Sequence, residues 1–126
     1  MYQEAIGFVC WVDELLKKVP RAVAVHNQLD RASTSIPLNI AECNGKYTAA
    51  DRCRFFDIAR GSALECAACL DVLVAKKLIE QVDSGKAILA RIVSMLVGLI
   101  RRTSPSRVHE GPIDYGTLRG KSIDYD

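Results

Sequence analysis

Only two histidines occur in the chain, His26 and His109, and neither stands three residues after a glutamate. The Glu-x-x-His pairs that hold di-iron centres in helical bundles are therefore missing, and no cofactor is expected. There is no glycine-rich phosphate loop, no alternating strand pattern and no internal repeat. Those gaps set aside the nucleotide-binding α/β folds and the repeat arrays. No basic N-terminal region leads into an apolar core and a small-residue cleavage site, so a secretory leader is not expected. The longest apolar run, residues 87–100, is broken by Arg91 and falls short of the about 20 residues that a membrane-spanning helix takes. An excess of one charge is also lacking. A formal net charge of +2 neither demands nor excludes a polyanionic partner.

The 126 residues that remain, 49% apolar and 25% charged, describe one globular domain able to bury a core without disulfides or a metal. Five cysteines are present, Cys10, Cys43, Cys53, Cys66 and Cys69. An odd count without a leader points to reduced thiols and a cytoplasmic location.

The chain is organised around Ser33-Thr34-Ser35-Ile36-Pro37-Leu38-Asn39-Ile40-Ala41-Glu42, where a proline sits inside an amphipathic pattern. Ile36 and Ile40 share one helical face and Asn39 and Glu42 another. Pro37 has no N–H, and its ring presses on the carbonyl of Ser33, so either the helix continues with compensation from neighbouring hydroxyls or it breaks and restarts there. Four helices are expected around this stretch: residues 2–19, ended by Pro20; 22–44, stopped by Asn44-Gly45 in a left-handed cap; 49–77, capped by Thr48; and a last helix from about 83 to 102. The third carries a heptad-like seam of Phe55, Ala59, Ser62, Cys66, Cys69 and Leu73, flanked by Phe56, Ala63 and Leu70. Ile6 and Trp11 widen the apolar face of the first helix, and the fourth has two adjacent apolar rows; such breadth points to a second contact, with another subunit. The fold class is thus all-α, an antiparallel up-down four-helix bundle over residues 1–102, with a non-helical tail at 103–126 whose three basic and four acidic residues do not make a basic arm.

The run from Leu29 to Glu42, followed by Phe55-Phe56-Asp57-Ile58-Ala59-Arg60-Gly61-Ser62-Ala63-Leu64-Glu65, resembles the bacterial four-helix bundle family named for products of intervening sequences in large-subunit ribosomal RNA genes. It is also similar to the accessory variability proteins of diversity-generating retroelements. The resemblance spans residues 2–102. It implies a bundle that assembles into a ring-shaped homopentamer and, for the retroelement relatives, binding to RNA or DNA and to a reverse transcriptase without catalysis of their own. Cys43 stands where the family usually has glycine, and the tail has no counterpart in it.

Three groups of residues bear on chemistry. Asn39 and Glu42 on the second helix and Ser62 and Glu65 on the third could meet across the bundle. They would form either a carboxylate pair for acid–base or metal chemistry or a structural polar network fixing helix register beside Pro37. Cys66-Ala67-Ala68-Cys69 reads as a redox or zinc motif, or as small apolar residues letting a neighbouring helix come close; its mid-helix position favours the second. Arg31, Lys46, Arg52, Arg54 and Arg60 form a candidate phosphate-binding patch, with Tyr47 as its only interleaved aromatic. The bland reading of those charges is a solvated helix face diluted by Asp51 and Asp57. No nucleophile stands with a base, so no catalysis is expected. The protein is expected to bind itself and nucleic acid, not a membrane; a purely structural or protein-interaction module is the alternative.

Overall fold

A computed structural model of the chain describes residues 1–103. The expected tail at 103–126 lies outside the described residues except for Thr103, which closes the last helix. Four helices make up the described chain: α1, Tyr2–Leu16; α2, Ala24–Asn44; α3, Ala49–Ala75; and α4, Asp83–Thr103. Short connections force consecutive helices antiparallel, and α1 packs on α2, α2 on α3, α3 on α4, and α4 back on α1. This is the up-down bundle, with the longest interface between α2 and α3. Phe8, Leu29, Ile36, Leu70, Leu73, Ile92, Leu96 and Ile100 are fully buried at its centre.

α2 runs through Pro37 without a break. Ser33 Oγ and Thr34 Oγ1 both donate to the carbonyl of Asp30, at 2.9 and 2.8 Å, and Asn39 Nδ2 donates to the carbonyl of Ser35 at 2.8 Å. Side-chain donors thus brace both turns beside the proline. Buried Ile36, Pro37 and Ile40 repay the lost backbone bond with core contact.

The helix ends differ from the expected ones in instructive ways. α1 stops at Leu16, not at 19, because the chain tightens before Pro20: Lys18 and Val19 donate to carbonyls only three residues back. Gly45 ends α2 at φ −91°, not in the left-handed region; three-residue bonds from Gly45 and Lys46 to Glu42 and Cys43 close the helix instead. The left-handed cap falls on Lys77, at φ 62°, beyond the end of α3. There Leu78 N–H donates to Leu73 and Lys77 N–H to Val74, the double bond of a Schellman motif that usually takes glycine. Thr48 caps α3 as expected, its hydroxyl accepting from Asp51 N–H at 3.1 Å.

The buried face of α3 is turned relative to the expected seam. Ala59, Cys66, Cys69 and Leu73 lie in it, but Phe56, Ala63 and Leu70 are also buried, whereas Phe55 and Ser62 are only half-buried. A helix gripped by α2 on one side and α4 on the other buries a stripe wider than one heptad seam.

The same geometry removes the reason for assigning the broad faces of α1 and α4 to another subunit. Each of these helices packs on two neighbours of its own chain. Trp11 packs against the core, its ring stacks near Phe8 with centroids 5.9 Å apart, and its Nε1 donates to Ser84 Oγ at 3.1 Å. The large apolar side chains that stand exposed among the described residues are Tyr2 at the start of α1, Leu38 on α2, Tyr47 in the α2–α3 turn, and Ile58, Val72 and Val74 on α3; none lies on α4.

Candidate functional site

At one end of the bundle three segments meet: the end of α2, the start of α3 and the last turn of α4. Two buried thiols link them. Cys43 Sγ donates to the carbonyl of Arg52 at 3.7 Å, and Cys53 Sγ to that of Ile100 at 3.8 Å. Burial pushes the Cys43 thiol upward, which keeps it a neutral donor.

Around the α2–α3 turn the basic residues are held in place by their neighbours. Lys46 Nζ lies 3.2 Å from Glu42 Oε1 and 5.1 Å from the centre of the Phe55 ring; the Arg54 guanidinium carbon lies 4.6 Å from the same ring. Both are cation–π distances. Arg52 Nη1 donates to the carbonyl of Tyr47 at 3.1 Å, so the guanidinium clamps the turn from the side of α3. α4 ends with Arg101 and Arg102 at this same end of the bundle. In sequence these two read as dipole-complementing residues at a helix end. The Cys53–Ile100 contact brings the last turn of α4, which carries them, to the start of α3 at the same end of the bundle as Lys46, Arg52 and Arg54; the Arg102 guanidinium lies back along α4 beside Gly98.

Not every residue of the expected patch joins it. Arg31 sits on the side of α2 in a shallow groove with Thr34, Ser35, Leu38 and Asn39, about 20 Å from the turn at the rise of an α-helix. Arg60 is drawn onto Asp57, with Nη2 3.1 Å from Oδ1.

The four residues expected to form a polar network are likewise divided. Ser62 Oγ lies 2.8 Å from Ser35 Oγ, and Asn39 Nδ2 donates to Ser35 Oγ at 2.9 Å, which gives a half-buried chain of three between α2 and α3. Glu42 turns outward to Lys46, and Glu65 is exposed. Ser35 is the member that the spacing did not single out. Its signal was its position, one turn before Asn39.

Cys66 and Cys69 lie in the core, and burial pushes both thiols up, Cys66 far up. A redox dithiol needs the opposite shift. Among the described residues, no group of three or more histidine, cysteine, aspartate or glutamate side chains is placed to hold a metal ion. None of the described helices is long and apolar enough to cross a membrane. At the far end of the bundle, buried His26 lines a cleft with Asp13, Lys17, Arg21 and Asp30, whose charges balance.

Comparison with known proteins follows the same outline. No curated protein matches the chain. A solved structure does: a protein of unknown function from the S23 ribosomal protein family of Bacteroides thetaiotaomicron VPI-5482, with a TM-score of 0.74 and 25% identity over 79% of this chain and 96% of that one. The family model for 23S rRNA-intervening sequence proteins matches residues 1–98, nearly all of the four-helix region. The chain therefore belongs to the 23S rRNA-intervening sequence protein family.

Proposed function

We propose that the protein is a non-enzymatic, self-associating helical bundle that binds nucleic acid, or an enzyme acting on it, through the basic end of the bundle. One observation carries this reading: Lys46, Arg52 and Arg54, and Arg101 and Arg102 far from them in sequence, belong to segments that meet at one end. Phosphate recognition needs several cations held within reach of one backbone, and the Phe55 ring and the Tyr47 carbonyl hold three of them. The family resemblance supplies the rest of the reading, five copies in a ring and, for a retroelement setting, a reverse transcriptase as partner. Repetition of a modest patch in an oligomer would raise its avidity, so a chain charge of +2 is no obstacle.

The test is titration of a labelled mixed RNA pool and a single-stranded DNA pool at about 50 and about 200 mM salt. The expected result is binding that weakens steeply with salt, and weakens further in Arg52→Ala and Arg54→Ala. Binding that ignores salt and both substitutions contradicts the reading.

A second reading has its own observation. Leu38 is 62% exposed and Ile58 40%, and the antiparallel pairing that sets Ser35 against Ser62 brings these two level on adjoining helices. As an interaction module without nucleic-acid binding, the protein would use this α2–α3 face. Leu38→Asp and Ile58→Asp would then change its assembly or its partner and leave no salt-sensitive nucleic-acid binding to be found.

A further inference from the structure

Tyr47 leaves its ring 97% exposed, more than any other large apolar side chain described. The other aromatics among the described residues behave differently: Phe8 and Phe56 are buried, Phe55 and Trp11 pack against the core, and Tyr2 is 42% exposed. Exposure on a loose segment would mean little, but the Tyr47 backbone is held. Lys46 N–H donates to Cys43, Arg52 Nη1 donates to the Tyr47 carbonyl, and the next residue, Thr48, caps α3. The ring is therefore presented from a fixed turn with cations on either side of it in sequence, which lowers the ordering cost of any contact it makes.

We infer that the basic end takes single-stranded nucleic acid, with the Tyr47 ring stacking on an unpaired base while Arg52, Arg54 and Lys46 take the neighbouring phosphates. The inference rests on the nucleic-acid reading above and narrows it. A duplex hides its base faces in its own stack; only unpaired bases offer a π-face to a side chain. Phe55 is covered by Lys46 and Arg54, so its part is to orient cations, and Tyr47 is the free platform. A protein partner fits this spot less well. The residues flanking the ring, Asn44, Gly45, Lys46 and Thr48, are polar or small and offer no apolar surface to bury along with it.

The experiment compares one labelled RNA sequence as a single strand and as an annealed duplex, titrated across a salt series with the wild type, Tyr47→Ala, Tyr47→Phe and Arg52→Ala. Tyr47 is 97% exposed and outside the core, so its variants are expected to leave the fold intact. The single strand is expected to bind at least about tenfold more tightly than the duplex, the worth of one stacked base. Tyr47→Ala should remove that advantage without altering the salt slope, Tyr47→Phe should keep it, and Arg52→Ala should lower the slope. Equal binding of the two forms, or a Tyr47→Ala variant that binds the single strand as the wild type does, overturns the inference; if binding is still salt-dependent, the broader nucleic-acid reading stands and the ring belongs to a protein contact. Absence of salt-sensitive binding to either form overturns both.

Discussion

The Trp11 indole occupies the space that a side chain at Gly85 would need. A Cβ built on Gly85 would come within 2.4 Å of two atoms of the Trp11 ring, and the neighbouring Ser84 accepts the indole N–H. The ring is a lid on the start of α4, and the absence of a side chain at residue 85 is what seats it. Gly85→Ala should therefore destabilise the fold by about 1–3 kcal/mol, the usual cost of overpacking, despite a gain in helix propensity. A denaturant titration with an unchanged midpoint would show that the ring moves aside freely.

Lys77 predicts the opposite sign. It holds a left-handed conformation at the cap of α3, where an L side chain is strained and glycine is not. Lys77→Gly should stabilise the protein by about 0.5–1 kcal/mol, the strain relieved less the entropy that glycine adds to the unfolded chain. Thermal melting at matched pH reads the change directly.

The buried thiols set a dependence on alkaline pH. Desolvation raises the folded-state pKa of Cys66 above its unfolded value, and those of Cys69 and Cys43 likewise. An acid whose folded pKa is raised contributes stability that is complete below the unfolded pKa and drains away above it, because the unfolded chain releases protons that the folded one keeps. The urea midpoint should fall between about pH 7 and about pH 10, across the thiol range of an unfolded chain, and fall less in Cys66→Ala. In the native state a thiol reagent should modify exposed Cys10 rapidly and the other four cysteines only on unfolding; rapid modification of all five would contradict the core assignment.

The basic residues should separate into two classes. Arg52→Ala and Arg54→Ala are expected to reduce nucleic-acid affinity and to lower the salt slope by about one each. Arg31→Ala should leave both unchanged, since Arg31 sits far along α2 from the turn. Arg60→Ala should act on stability through its Asp57 pairing, not on the slope. Equal effects from all four would mean a diffuse field, not a site at the bundle end.

How legible this was in the sequence varies by element. The 3.6-residue periodicity and the Thr48 cap were enough for four helices and their order, because both are local. The proline in α2 left two outcomes open, which the side-chain bonds to Asp30 and Ser35 and the burial of Pro37 decide in favour of one helix. The seam of α3 and its flank of Phe56, Ala63 and Leu70 were legible, but the buried stripe lies toward that flank and leaves Phe55 and Ser62 half-buried, since the neighbours on both sides share in setting its face. Trp11 looked available to another subunit because nothing local shows that residue 85, far along the chain, makes room for it. Arg52, Arg54 and Lys46 were legible as a cluster close in sequence; Arg101 and Arg102 were not, because only packing joins the end of α4 to the start of α3.

The most direct test of the central claim is light scattering of the purified protein with and without a mixed RNA and single-stranded DNA pool, at low and at high salt. The expected result is an oligomer, five chains on the family resemblance, that takes up nucleic acid at low salt and releases it at high salt. A particle whose mass is the same with and without nucleic acid at both salt concentrations would contradict it.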